Sequence, residues 1–194
     1  MSPPHQLSGG RGVIVDDEAD RALIERYRKG DREAFTELVV RYQRPIYNAA
    51  LWILRRAEDA SDIAQIVFLR VAEHVDDYDP QYRFFSWIYR IAVNESLNLL
   101  RRNGSEDTLE DDGDIPEPES ANPEARLNQA ERAARVGQAM KSMSTMDRTV
   151  LTLRHFSECS YQEIAEILEV DETTVKSRLY EARQRLRSML DDLR

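Results

Sequence analysis

The residues best suited to chemistry lie near the C-terminus, where hydrogen-bonding and basic side chains are concentrated. Thr173, Thr174, Lys176 and Ser177 are followed by arginines at positions 178, 183, 185 and 187. The DNA major groove admits one α-helix, whose N-terminal part meets base edges while flanking cations meet phosphates. The stretch therefore predicts a DNA-reading helix. The alternative is a helical hairpin whose arginines only face solvent.

Two short helices around a tight turn are predicted to position these residues. The first, over residues 161–168, turns Ile164, Ala165 and Leu168 inward, and residues 169–171 form the turn. The second begins at Glu172, ends near residue 190 and has one apolar face made by Val175, Leu179, Ala182, Leu186 and Leu190. This layout is typical of a helix-turn-helix.

An aromatic cluster is the second candidate site. Six of the fifteen aromatic residues lie within twelve positions, namely Tyr78, Tyr82, Phe84, Phe85, Trp87 and Tyr89. Arg90 and Asn94 follow, and such a mixture can stack unpaired bases, hold the backbone and read a base edge. Because residues 87, 88 and 91 have core spacing, about half of the cluster is expected to be interior. The best candidates for DNA contact are Tyr78, Tyr82, Tyr89 and Asn94.

A third feature is the polar side of a helix predicted from Ala57 to Val75. One face is apolar and belongs to a core. The opposite face carries acids and two bulky aliphatics: Asp59, Asp62, Gln65, Ile66, Leu69 and Glu73. Exposed aliphatics among acids indicate a protein partner with basic residues, and a solvated face is the alternative.

The chain is predicted to be all-α, with two small helical domains joined by a flexible acidic linker. Residues 103–125 hold nine acidic and no basic groups, which matches the whole net charge of −9 and leaves both flanks nearly neutral. We expect a disordered tail at 1–19, domains at 20–102 and 126–194, and a linker at 103–125. Within them, Gly30-Asp31 predicts a helix break, Pro45 a kink or fresh start, and Asn122-Pro123 and Ser144 predict helix starts.

Several classes of function are disfavoured by composition. The lone Cys159 is expected to be a loop or partly buried thiol rather than a redox switch, and His5, His74 and His155 are too scattered to bind a metal. No paired acid and base, nucleophile or phosphate loop is found, so we expect no enzyme, no cofactor and no small-molecule substrate. The N-terminal residues hold no signal-like apolar run, which predicts a cytoplasmic protein.

Three ordered motifs resemble the bacterial sigma-70 family, extracytoplasmic-function group. They are DIAQIVFL at 62–69, FSWIYRIAVN at 85–94, and SYQEIA at 160–165 with TVKSR at 174–178. The resemblance spans residues 20–190. It implies that residues 20–102 are sigma region 2, a helical bundle, and that residues 126–194 contain region 4, a helix-turn-helix. An operator-binding helix-turn-helix regulator, with residues 20–102 as a sensor, is the alternative.

The resemblance also implies partners and site residues. The expected partners are promoter DNA, core RNA polymerase through its β′ clamp helices and β flap, and an anti-sigma factor that is often membrane-bound. Polymerase would bind the face at Asp59, Asp62, Gln65, Ile66, Leu69 and Glu73. Region 2 would melt the minus-ten element with His74, Tyr78, Tyr82, Tyr89, Arg90 and Asn94. Region 4 would read the minus-thirty-five element with Arg154, Tyr161, Gln162, Thr173, Thr174, Lys176, Ser177, Arg178, Tyr180 and Arg183. The acidic linker would thread toward the RNA path of the polymerase.

Two positions depart from the family pattern. Ser144 stands where members often carry proline, which alters only how that helix begins. Glu181 stands where some relatives carry a cation, so the promoter sequence cannot be copied from them.

Overall fold

A computed structural model of the chain describes residues 16–104 and 134–192. Within these two ranges the structure is helical and contains no strand, which confirms the predicted fold class. The first helical body comprises α1 (Asp17–Arg28), α2 (Arg32–Leu54), α3 (Ala57–His74), a 3-10 turn (Val75–Asp77) and α4 (Phe84–Arg102). The second comprises α5 at 134–141, α6 (Thr145–Leu151), a π-helical segment (Thr152–Phe156), α7 (Tyr161–Leu168) and α8 (Glu172–Asp192).

Short-range capping explains where several helices begin. The Asp31 carboxylate accepts a hydrogen bond from the Glu33 amide at 3.0 Å, and Gly30 precedes it with φ 96°, a conformation that glycine adopts without steric cost. The predicted break is therefore confirmed. Helix α1 begins at Asp17, capped by Asp16, so the predicted tail of residues 1–19 extends too far. Its first turn is acidic, which favours helix initiation at the positive end of the helix dipole.

Helix α2 does not start afresh at Pro45. It runs unbroken from Arg32 to Leu54, so the predicted fresh start is wrong. An internal proline removes a backbone hydrogen bond and costs about 3 kcal/mol. Ten buried residues along α2, including Tyr42 and Ile46, offset that cost because the helix lies at the centre of the first body.

The buried residues of the two bodies form one continuous hydrophobic cluster. In the first, the Tyr42 ring meets Phe84 edge-on at 5.4 Å, and the Tyr42 hydroxyl donates to the buried Asp20. Burial raises the pKa of Asp20, which also pairs with Arg41. In the second, the core includes Val150, Leu153, Ile164, Val175 and Leu179. Residues 105–125 of the predicted linker, including the predicted helix start at Asn122-Pro123, lie outside the described residues.

The two bodies contact each other directly. Helix α4 packs against α7, and α2 packs against α6 and the π-helical segment. Trp52 of α2 and Phe156 stack with ring centroids 4.0 Å apart. This contact places the helix-turn-helix beside the aromatic cluster. No helix in the described ranges is both long and apolar enough to span a membrane.

Candidate nucleic-acid interface

The helix-turn-helix is defined by local hydrogen bonds. Ser160 and Glu163 form a capping box at the start of α7, with the Ser160 hydroxyl accepting from the Glu163 amide at 3.1 Å. Glu169 ends α7 in the left-handed region with φ 55°, which makes the predicted tight turn. Asp171 then accepts from the Thr174 amide at 2.8 Å, and this bond holds the pKa of the Asp171 carboxyl below its usual range. The charged cap thus fixes the start of α8.

The N-terminal half of α8 presents the predicted DNA-reading residues. Val175, Leu179 and Ala182 are fully buried, as the apolar spacing predicted. The predicted residues left exposed on this part of the helix are Thr173, Lys176, Ser177, Arg178 and Tyr180, and the acidic Glu172 and Glu181 are exposed beside them. Thr174 is half-buried, and its hydroxyl donates to the Asp171 carboxylate at 3.0 Å. The structure therefore brings most of the predicted α8 candidates to one accessible surface.

The Tyr161 ring contacts one cation from the π-helical segment and one from α8. The Arg154 guanidinium lies 5.3 Å and the Lys176 ammonium 6.0 Å from the centre of its ring. Arg154 is held by a hydrogen bond of 2.7 Å to the Cys159 carbonyl. Gln162, beside Tyr161, is exposed and donates to Glu166 at 3.2 Å. This grouping places two cations beside Tyr161 at the start of α8, where Lys176 also pairs with Glu172 at 3.3 Å.

His155 is a member of this grouping that sequence reasoning missed. Arg183 donates to its Nε2 at 3.2 Å. Burial lowers the pKa of His155, and the neighbouring Arg183 and Arg154 lower it further, so the ring is neutral at neutral pH. The sequence signal that could have identified it is its position directly after Arg154, a predicted DNA-contacting residue. Its neutral ring aligns the Arg183 side chain.

The minus-ten candidates divide into exposed and buried residues. Tyr82 is 60% exposed, and His74 and Asn94 are also exposed. Tyr78 is only 3% exposed, and its hydroxyl donates to the Tyr82 carbonyl at 2.7 Å. Tyr89 is 1% exposed. More of the aromatic cluster is interior than its spacing predicted.

Tyr89 and Arg90 face the second body. The Tyr89 ring lies 4.4 Å from Phe85, its hydroxyl hydrogen-bonds with Ser157, and burial raises its pKa. Arg90 pairs with Glu169 at 3.3 Å. These two candidates therefore contact the second body.

Arg83 is a second basic residue that sequence reasoning missed. It pairs with Asp17 at 2.7 Å and with Glu163 of α7. The sequence signal that could have identified Arg83 is its position between Tyr82 and Phe84 in the aromatic cluster. Arg83 joins the start of α4 to both α1 and the helix-turn-helix.

The outer face of α3 is arranged largely as the helical wheel predicted. Asp62, Gln65 and Glu73 are exposed, and Leu69 is 62% exposed. The remaining two candidates on this face, Asp59 and Ile66, are half-buried. An open, mainly apolar groove runs beside this face between α2 and α3, lined by Phe35, Val39, Tyr47, Phe68 and Leu69.

The described ranges show no grouping of three or more potential metal ligands. Cys159 is 1% exposed, and burial raises the pKa of its thiol. A protonated, enclosed thiol is a poor nucleophile. Cys159 is thus more deeply buried than predicted, and it lies in the segment before α7.

Comparison with known proteins identifies the family. The model of sigma-70 region 2 matches residues 38–106, and the model of sigma-70 region 4 matches residues 133–186. The RNA polymerase sigma-H factor of Pseudomonas aeruginosa is 32% identical over 189 residues, covering 93% of this chain and 98% of its own. The chain belongs to the sigma-70 family. Its relatives place it in the extracytoplasmic-function group. One of them, the extracytoplasmic-function sigma factor SigW of Bacillus subtilis, is 31% identical over 181 residues, covering 88% of this chain and 96% of its own.

Solved structures of sigma factors share the fold. CnrH, in complex with the cytosolic domain of CnrY, matches with a TM-score of 0.66 and 28% identity over 90% of this chain and 98% of its own. The sigma factor RpoE of Bartonella quintana, in complex with the anti-sigma factor NepR, gives a TM-score of 0.66 at 20% identity, covering 81% and 96% of the two chains. The chain is thus a promoter-directing sigma factor, and the operator-binding alternative is wrong. Sigma factors are non-catalytic initiation factors.

Proposed function

We propose that this sigma factor docks on core RNA polymerase through α3 and recognises the promoter at two elements, one with each helical body. The proposal is supported by two separate groups of exposed side chains, one on each helical body, whose types suit contact with DNA. One is formed by Tyr161 and the start of α8. The other is formed by the exposed ring of Tyr82, within the aromatic cluster, and the exposed amide of Asn94, which follows the cluster.

Region 4 would read the minus-thirty-five element as duplex DNA. The exposed residues Thr173, Lys176 and Ser177 lie on the first two turns of α8, the part of a recognition helix that enters the major groove. Arg154 and Arg183 are fixed by hydrogen bonds at the side of that helix, where they would meet phosphates. Base contacts from α8 would supply the sequence preference.

Region 2 would hold the melted minus-ten strand. Tyr82 offers a free aromatic face for stacking an unpaired base, and Asn94 offers an amide for a base edge. His74, which is also exposed, would join them. Tyr78 would act by supporting Tyr82 through its hydroxyl. Tyr89 and Arg90 contact region 4 here, so their use on DNA requires α7 to move away from α4.

Polymerase would bind the acidic and aliphatic face of α3. Leu69 projects from this face, and Asp62 and Glu73 flank it, which suits a partner helix that carries both apolar and basic side chains. The apolar groove beside Leu69 enlarges the area available for docking. The β′ clamp helices would take this face, and the β flap would take region 4.

An anti-sigma factor and a cytoplasmic location complete the proposal. CnrH and the Bartonella RpoE were each solved with a bound partner, CnrY and the anti-sigma factor NepR respectively. We ascribe to this chain a comparable inhibitory partner, which in this group is often membrane-bound. We ascribe to it no catalytic activity, cofactor or small-molecule substrate of its own.

The deciding experiment is transcription in vitro with purified bacterial core polymerase and a library of randomised promoters. We expect transcripts to start from a defined subset of templates that share two sequence elements, and to require both proteins. The isolated chain is expected to bind the selected duplex weakly. Core polymerase that gives the same transcripts with and without the chain would refute the proposal.

A further inference from the structure

Helix α1 lies along the loop of residues 75–83 and holds it at both ends. The last residue of α1, Arg28, donates through Nη2 to the carbonyls of Val75 at 2.6 Å and Tyr78 at 2.7 Å. The first residue, Asp17, accepts from Arg83 Nε at 2.7 and 3.0 Å. Twelve helical residues span about 16 Å between these anchor points. The loop is therefore fixed at two ends by a single rigid element.

The helix that fixes the loop is itself held firmly. Its buried residues Leu23 and Ile24 pack into the core of the first body, and Asp20 is fully buried. Asp20 accepts hydrogen bonds from Arg41 and Tyr42 of α2. Hydrogen bonds to a charged acceptor are stronger than those between neutral groups. These core contacts fix the position of α1, and they therefore also fix the positions of Arg28 and Asp17.

Between the anchors, the loop is organised to present one aromatic ring. The Tyr78 hydroxyl donates to the Tyr82 carbonyl at 2.7 Å, and the Tyr82 amide donates to the Asp79 carbonyl at 3.1 Å. The Asp79 side chain accepts from the Gln81 amide at 2.9 Å. The ring of Tyr82 remains 60% exposed at the end of this tight structure. The backbone of Tyr82 is thus fixed while its ring is available.

The contacts of Arg28 exceed what a helix cap requires. Its guanidinium reaches the Val75 and Asp76 carbonyls of the 3-10 turn, and then the Tyr78 carbonyl beyond it. It also lies 6.0 Å from the centre of the Tyr78 ring, whose hydroxyl supports Tyr82. The side chain is only 20% exposed. Arg28 therefore contacts both the backbone of the loop and the Tyr78 ring, and Arg21 of the same helix also hydrogen-bonds with Tyr78.

We propose that Arg28 and Asp17 are positioning residues that hold Tyr82 where it can stack on an unpaired promoter base. Helix α1 lies outside residues 38–106, the range that matches sigma-70 region 2. The inference rests on the proposed melting role of region 2. It assigns to α1 a part in promoter opening through the loop, without direct contact with DNA.

The test compares Arg28→Met with a matched control, Arg26→Met, in the full-length chain. Arg26 lies on the same turn of α1 but pairs with Asp31 and Glu37 instead of the loop. Each variant is assembled with core polymerase on a promoter selected by the wild-type chain. Four quantities are measured: core binding, closed-complex formation, permanganate reactivity of thymines in the melted region, and the midpoint of thermal unfolding.

Arg28→Met is expected to lower permanganate reactivity by about tenfold, the effect of losing charged hydrogen bonds. Core binding and closed-complex formation by Arg28→Met should stay within about twofold of wild type. Arg26→Met should match wild type in core binding, closed-complex formation and permanganate reactivity. A repeated library selection with Arg28→Met should show a weaker base preference at one minus-ten position. Equal reactivity in the two variants, or an equal loss of core binding and melting, would overturn the inference.

A second variant keeps the test open if Arg28→Met does not fold. Asp17→Asn releases the other anchor, with Glu18→Gln on the next position of α1 as its control. Because Asp17 bonds to one side chain of the loop whereas Arg28 bonds to three backbone carbonyls, Asp17→Asn should reduce permanganate reactivity by less than Arg28→Met. Reactivity equal to that of Glu18→Gln would again overturn the inference. A wild-type chain that fails to direct transcription would instead refute the proposed function.

Discussion

Replacement of Phe156 by alanine tests the contact between the two helical bodies. Phe156 belongs to region 4, and its ring stacks on Trp52 of region 2 with centroids 4.0 Å apart. Phe156 is 37% exposed and Trp52 is 4% exposed, so Phe156 is one of the residues that cover Trp52. The variant removes this stack and leaves the ion pairs between α4 and α7 in place.

The cost follows from the surface that Phe156 covers. Full burial of a phenylalanine contributes about 1.5–3 kcal/mol, so the covered two thirds contributes about 1–2 kcal/mol. An aromatic pair adds about 0.5–1.5 kcal/mol beyond buried area. We therefore expect Phe156→Ala to destabilise the docked arrangement by about 2–3 kcal/mol. That corresponds to a change of about 30- to 150-fold in the docking equilibrium.

Urea unfolding followed by tryptophan fluorescence and circular dichroism measures this loss. With a slope of about 1–3 kcal/mol per molar urea, the transition of region 4 should move to lower urea by about 0.7–3 M. Emission of the uncovered Trp52 should shift to longer wavelength in the absence of urea. Tyr180→Ala removes an aromatic ring that is 65% exposed and serves as the control, with an expected change below about 0.5 kcal/mol. If the two variants unfold alike, the bodies do not dock through this stack in solution.

The remaining predictions concern the three proposed binding surfaces. Lys176→Ala should weaken promoter binding by about 1 kcal/mol or more, whether Lys176 meets a base or a phosphate, as measured by holoenzyme titration on labelled duplex. Asn94→Ala should spare duplex binding yet reduce permanganate reactivity of the melted strand, because an amide that reads a base edge acts only after the base has left the stack. Asp62→Arg should reduce co-purification with core polymerase, because it reverses charge on the exposed face of α3.

Each of these variants has a matched control in the same chain. Arg187→Ala removes an exposed cation from the far half of α8, and a loss equal to that of Lys176→Ala would show general electrostatic attraction instead of groove contact. Asn98→Ala, one turn beyond Asn94, should leave melting intact, and a wild-type footprint from Asn94→Ala would remove Asn94 from the site. Glu18→Arg reverses an exposed charge on α1, and retention of polymerase by Asp62→Arg would place docking elsewhere.

Features set by neighbouring residues could be predicted from the sequence. The caps at Asp31, Ser144 and Ser160 each bond an amide two or three positions ahead, so the chain carries both partners within one short segment. The apolar faces of α3 and α8 follow from helical periodicity in the same way. These local rules placed the helix-turn-helix and its exposed residues correctly.

Features that depend on distant residues could not be predicted. The burial of Tyr78 depends in part on Arg28, which bonds to its carbonyl from 50 residues away. The burial of Tyr89 depends on region 4, whose Ser157 meets its hydroxyl. Helix α2 continues through Pro45 because its neighbours pack around it, and proline alone indicates the opposite. The roles of these residues on DNA remain predictions.

The π-helical segment Thr152–Phe156 changes the direction in which its last side chain points. The Ser157 amide bonds to the Thr152 carbonyl five positions earlier, one more than in an α-helix. Without that extra residue, Phe156 would fall in line with Thr152 and Leu153 and turn toward their own core. The widened turn instead sends Phe156 outward to Trp52. Deleting one residue from this segment would restore the regular α-helical phase. The same deletion would turn the Phe156 ring, which joins the two domains, away from Trp52.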